Sequence, residues 1–195
     1  NCAVTLHGLQ RYEEALGRLD KLLLTPEHRR EALLNRGLVL EALQRPEEAL
    51  ESFDFLLALA PREAQAHLHR GHALLLLERP EEALASYDAV VALRPEWTDA
   101  LLLRTTLLIR LKEPLRALAD LDRCLALEPE HIDALNIRGD LLFALQRPEE
   151  ALACYDRSLA LDPRNAGVWA NRGNAFMTLG KAEEACASYD RALAL

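Results

Sequence analysis

One pattern of residues recurs at a fixed interval along the whole chain, and that recurrence limits the fold more than any other property of the sequence. The interval from Ala15 to Ala49 is repeated at Ala83, Ala117, Ala151 and Ala185, and again from Pro61 to Pro95, Pro129 and Pro163. Gly37, Gly71, Gly139 and Gly173 form a third column, with Thr105 in place of the missing glycine. Self-similarity at a fixed period in this range is the signature of a stacked-repeat architecture. The repeat is clearest from Ile132 to Asn165, which holds two apolar stretches at helical spacing: Leu135, Leu142 and Leu145, then Ala151, Leu152, Tyr155 and Leu159. That spacing predicts two helices joined by a short turn.

The boundaries have chemical reasons. Pro46, Pro80, Pro114 and Pro148 stand where second helices begin, a position that suits a residue with a preset φ and no amide hydrogen. Glu47-Glu48, Glu81-Glu82 and Glu149-Glu150 follow, placing negative charge at the positive end of the helix dipole. The prolines beginning at Pro61 end each unit. The predicted helix pairs are 1-9 and 12-24, 29-44 and 47-59, 64-78 and 81-93, 98-112 and 115-127, 132-146 and 149-161, and 166-179 and 182-195. The glycine and alanine columns are small where paired helices cross, so Thr105 is expected to cost a little packing.

Pro163, Trp169, Gly173, Phe176, Ala185 and Tyr189 together resemble the tetratricopeptide repeat pattern of proline, aromatic, glycine, aromatic, alanine and aromatic. The resemblance covers essentially the whole chain. It implies an all-α fold, a right-handed superhelix (solenoid) of about six helix-turn-helix units in one domain, 1-195. The units are about 1-29 (partial), 30-63, 64-97, 98-131, 132-165 and 166-195. Asn1 to Gly8 reads as the remnant of a first helix and Leu195 falls inside a second helix, so the expectation is a segment cut at both ends. The RPEEALASYD wording at Arg79 to Asp88 resembles bacterial multi-repeat proteins, among them the repeat regions of O-linked N-acetylglucosamine transferase-like enzymes.

No catalytic motif is present: there is no phosphate-cradling glycine loop, zinc-protease helix or nucleophile elbow. The reading is therefore a non-enzyme without cofactor. Net charge is −8, from 23 basic and 31 acidic residues, which disfavours nucleic acid as partner. No apolar run is long enough to span a membrane. Cys2, Cys124, Cys154 and Cys186 lack metal or disulfide spacing and read as small apolar groups, which fits a reducing, cytoplasmic setting. His69 and His72 lie three apart on one helix and could reach one ligand, but with no third ligand evident they read, with His67, as surface or groove polar residues and no metal is assigned.

Arg36, Arg70, Arg104, Arg138 and Arg172 flank the core stripe of the first helices, while Asp20, Asp54, Asp88, Asp122, Asp156 and Asp190 repeat on the second helices. A partly buried guanidinium requires pairing. An Arg–Asp ladder is expected, running either forward, as Arg36 to Asp54, or back, as Arg36 to Asp20.

In the resembled family, first helices line the concave side and hold peptides or helices of partners. The corresponding stripe here reads Leu34, Leu38 and Glu41; Leu68, His72 and Leu75; Leu102, Thr106 and Ile109; Asn136, Asp140 and Phe143; Ala170, Asn174 and Met177. It grades from apolar to polar. The expected partner-binding residues are Leu68, His72, Leu75, Leu102, Ile109, Phe143, Asn136, Asp140, Asn171 and Asn174. The leading function is a protein-interaction scaffold. The alternatives are the substrate-recognition arm of a larger glycosyltransferase-like enzyme and a self-assembly module pairing copies through solenoid ends such as Leu193 and Leu195.

Overall fold

The computed structural model describes the backbone of residues 2–195 and the side chains from residue 11 onward. Asn1 and the Cys2 thiol lie outside the described residues. Among those residues the chain forms eleven α-helices and no strand: α1 (Cys2–Leu22), α2 (Arg29–Ala42), α3 (Pro46–Leu59), α4 (Ala64–Leu76), α5 (Pro80–Leu93), α6 (Thr98–Arg110), α7 (Pro114–Leu127), α8 (Ile132–Ala144), α9 (Pro148–Leu161), α10 (Ala166–Thr178) and α11 (Ala182–Leu193). From α2 onward they pair as hairpins, so the all-α helical-repeat fold expected from the period is the one found. The expected break after residue 9 is not: α1 is one helix of 21 residues. Gln10, Arg11 and Glu14 repeat the turn residues Gln44, Arg45 and Glu48, but Tyr12 stands where the hairpins from α2 to α9 carry a proline, so of these turn signals only the proline is missing there.

The chain divides into two compact units, Asn1–Ala100 and Leu101–Leu195. The same local devices build both. Each first helix of a hairpin ends with the N–H of the residue after next reaching back across its last turn, as in Arg45 N to Leu40 O (2.9 Å) and Arg147 N to Leu142 O (2.9 Å). The intervening residue is left-handed, with φ near 60° at Gln44, Glu78, Lys112 and Gln146, and 72° at Gly180. These are Schellman turns, usually glycine positions. The prolines at 46, 80, 114 and 148 occupy the first turn of the next helix, as expected.

A clasp of opposite charges closes those same turns. Arg45, Arg79 and Arg147 at the helix start grip Glu48, Glu82 and Glu150 through two hydrogen bonds each, 2.6 to 2.8 Å long. The guanidinium hydrogen bond holds all three carboxyls below their ordinary range. In the α6–α7 hairpin the signs are exchanged: Glu113 stands at the start and Arg116 donates to it at 2.8 Å. That exchange accounts for the one unit whose helix start lacks the glutamate pair.

The small column meets a ring. A Cβ added to Gly37 would lie 2.3 Å from the Phe53 ring, and one on Gly71, Gly139 or Gly173 would lie 2.5 Å from Tyr87, Tyr155 or Tyr189. Each aromatic belongs to the second helix of the same hairpin, and Phe53 and Tyr87 are fully buried. Thr105 breaks the column without the expected crowding, because Leu121 stands where the other hairpins carry the ring, and both are fully buried. The cost at Thr105 is polar instead: its hydroxyl is buried with no hydrogen-bond partner.

The arginine column settles the direction of the ladder. Arg36, Arg70, Arg138 and Arg172 donate through Nε to Asp20, Asp54, Asp122 and Asp156, 16 residues back, at 2.6 to 2.9 Å. Each also donates through Nη1 to the residue 16 forward: Ser52 (2.6 Å), Ser86 (2.8 Å), Cys154 Sγ (3.1 Å) and Ser188 (2.8 Å). One guanidinium thus ties a first helix to the helix before it and the helix after it. In α6–α7 the forward residue is Asp120, which accepts from Arg104 Nε at 2.8 Å and Nη2 at 2.5 Å. Cys124 and Cys154 are buried as expected, whereas Cys186 is exposed. It holds the position of Leu50, Leu84, Leu118 and Leu152, which are buried, but α11 packs chiefly on α10.

Two tests follow from this packing. Gly139→Ala should lower stability by about 1–3 kcal/mol through crowding of Tyr155, while Gly17→Ala, with open space around it, should raise it by about 0.5–1 kcal/mol, both read from urea unfolding. The Arg104 and Asp120 side chains are only 16% and 6% exposed, so Arg104→Met should cost about 3–5 kcal/mol by stranding a buried carboxylate. Adding Asp120→Leu should restore most of that loss. Arg138→Met, whose Asp122 partner is 60% exposed, should cost about 1 kcal/mol or less.

Candidate functional site

The ten residues expected to bind a partner fall on first helices in both units, and none of them is fully buried. In the first unit, α4 carries Leu68, His72 and Leu75, all half-buried. Neighbouring Leu34 and Leu38 on α2 pack against the cluster of Leu16, Leu40, Ala49 and Phe53, so that part of the stripe serves the core. The His72 ring stands edge-on to Tyr87 at 6.0 Å and to His69 at 5.6 Å. Burial pushes its imidazole below the ordinary histidine range.

The same region holds an arrangement that sequence spacing missed. Glu41, on α2, reaches His69 on α4, with Glu41 Oε2 2.9 Å from His69 Nδ1. One potential ligand atom from each of Glu41, His69 and His72 lies within 4.8 Å of the others. Glu41 Oε1 is buried and has no hydrogen-bond partner, and the same is true of the Tyr87 hydroxyl. Burial and the nearby Glu41 charge push that phenol up to about 12. Glu41 and His69 are 28 residues apart, and only the packing of α2 on α4 joins them. His67 does something else: its Nε2 meets Pro61 O at 2.9 Å, as Trp169 Nε1 meets Pro163 O at 3.0 Å three repeats later.

The second unit carries Leu102 and Ile109 on α6, Asn136, Asp140 and Phe143 on α8, and Asn171 and Asn174 on α10. Leu102 and Phe143 are half-buried and Ile109 is 39% exposed. Here the packing of α8 on α10 assembles a polar network. Asp140 Oδ1 accepts from the Tyr155 hydroxyl and from Asn171 Nδ2, both at 2.8 Å. Asn174 Oδ1 accepts from the Tyr189 hydroxyl at 2.8 Å. The tyrosines that fill the space above Gly139 and Gly173 therefore also present a donor to the first-helix face. Burial, and then the hydrogen bond to the Asp140 carboxylate, raise the Tyr155 phenol well above its ordinary value. Asn136 Oδ1 is buried without a partner. Asp140 and Asn174 remain exposed, so the network holds hydrogen-bonding groups still while leaving them open to solvent.

The chain matches family models described as "Tetratricopeptide repeat" over residues 5–54, 34–96 and 166–195, and as "TPR repeat" over residues 139–180. No curated protein matches it at a significant level. Among solved structures, YrrB, described as a TPR protein with an unusual peptide-binding site, matches with a TM-score of 0.80 at 23% identity, over 90% of this chain and 90% of that one. MamA from Desulfovibrio magneticus matches with a TM-score of 0.76 at 20% identity, over 85% and 94% of the two chains. A tetratricopeptide repeat protein from Parabacteroides merdae matches with a TM-score of 0.70 at 20% identity, over 95% and 80%. These likenesses establish the fold.

Tyr155→Phe keeps the ring and deletes the donor to Asp140. It should lower stability by about 0.5–1.5 kcal/mol, measured by thermal unfolding beside the parent, with helical content unchanged.

Proposed function

The chain belongs to the tetratricopeptide repeat family, and from that premise we propose that it is a non-catalytic scaffold whose first-helix faces hold a segment of another protein. The observation that carries this reading is the fixed polar network of the second unit. Both donors to Asp140 use Oδ1, so the acceptor capacity of Oδ2 is left for an incoming backbone N–H. Asn174 spends its carbonyl on Tyr189, which turns its amide donors toward incoming carbonyls. Exposed amides and a carboxylate held by neighbours suit recognition of an extended backbone, with little side-chain ordering left for the moment of binding.

Asn136, Asp140, Asn171 and Asn174 set register in this scheme, and Leu102, Ile109 and Phe143 supply apolar contact in the same unit. Leu68, His72 and Leu75 offer a second, more apolar face in the first unit. The description of YrrB as a peptide-binding TPR protein supports the reading through shared fold. The acidic balance of the chain favours a partner segment carrying basic residues.

Selection from a displayed library of unstructured peptides tests the proposal. Enriched peptides should bind an Asp140→Ala/Asn171→Ala variant at least about tenfold more weakly, a loss of roughly 1.4 kcal/mol or more, with circular dichroism unchanged. Equal binding by the folded variant, or a selection that enriches nothing, would remove this face as the working surface.

A further inference from the structure

We propose that Glu41, His69 and His72 form a binding site for one divalent transition-metal ion of the zinc class, bridging α2 and α4. The inference does not depend on peptide binding. It rests on three observations. The first is the donor set: two imidazoles and a carboxylate are the borderline ligands that zinc, nickel and copper prefer over calcium and magnesium. The second is geometry. Tetrahedral zinc at its usual bond lengths separates neighbouring ligand atoms by about 3.4 Å, and the present atoms already lie within 4.8 Å of one another. Side-chain adjustments of the order of 1 Å close the set while the helices stay in place.

The third observation is unspent bonding capacity. Glu41 Oε1 is buried without a partner, although a carboxylate oxygen withdrawn from water ordinarily has a cation or donor beside it. The hydrogen bond of Glu41 Oε2 to His69 uses only one side of the group. His72 makes ring contacts with His69 and Tyr87 but no hydrogen bond among the described residues, so both its ring nitrogens are available. Tyr87, buried beside His72 with an unpartnered hydroxyl, supplies a donor next to the set. Three protein ligands leave a fourth position for water or for a donor from another molecule.

Zinc chloride titrated by calorimetry into the chelator-treated chain is the direct test. One ion per chain should bind, and His69→Gln, His72→Gln and Glu41→Gln should each weaken it at least tenfold. His28→Gln, which alters an exposed histidine elsewhere, should leave it unchanged. Zinc should also raise the thermal midpoint of the parent and not of a His69→Gln/His72→Gln variant, with circular dichroism confirming that both are folded. Absence of saturable binding, or binding by the folded double variant with the same stoichiometry and affinity, would overturn the assignment.

Discussion

A guanidinium placed at the edge of a helical core must find acceptors, and in this chain it finds them on two neighbouring helices at once. Arg36 reaches back to Asp20 on α1 and forward to Ser52 on α3. Arg172 reaches back to Asp156 and forward to Ser188. The planar fork of arginine, with donors on several edges, can serve both sides, which the single ammonium of lysine does far less well. Apolar contacts along a helix tolerate sliding and rotation, whereas a fork held between a carboxylate and a hydroxyl fixes the rotation of each first helix. This explains why α1, though it is one long helix, joins the packing: its second half brings Leu16 to the core and Asp20 to the first arginine.

The period, the hairpins and the proline boundaries can be read in the sequence because they are local or strictly repeated. The arginine–aspartate pairing is visible as two columns, but its direction depends on which neighbouring helix lies nearer. The forward acceptors are harder to see. Ser52, Ser86, Asp120, Cys154 and Ser188 share one column without sharing a residue type, and only their common role as acceptors unites them. Spacing alone assigns the small column to helix crossing, yet its cause is a ring on the paired helix. The continuous α1 cannot be anticipated from a repeat that assumes a turn at every period.

The candidate faces show the same division. Leu68, Asn136 and Asp140 are expected on a partner face because the resemblance names the first helices as the ones that face a partner, and spacing adds only which of their residues share a face. That Tyr155 holds Asp140, and that Glu41 stands against His69, cannot be read this way, because each pair joins columns on different helices through packing. The two faces also differ in kind. In the first unit an imidazole meets a half-buried carboxylate, while in the second phenols and an amide donate to groups that stay in water. Repetition of backbone has not carried with it repetition of surface chemistry, and the variable positions are those where the first helices are least constrained by the core.

The α6–α7 hairpin departs from the other repeats at Thr105, Glu113, Arg116, Asp120 and Leu121, and each departure has its answer inside the same hairpin. Thr105 is matched by Leu121, Asp120 by Arg104, and Glu113 by Arg116. The hairpin is therefore the smallest piece that carries these three pairs whole. A chimera joined in the loops before the first helices would carry both members of every pair, while one joined at the tight turn around Lys112 would set a threonine against a tyrosine ring and lose the buried acceptor of Arg104. Recombination between repeats, whether in a genome or in a laboratory, is limited to one of the two loop types by side chains rather than by the backbone.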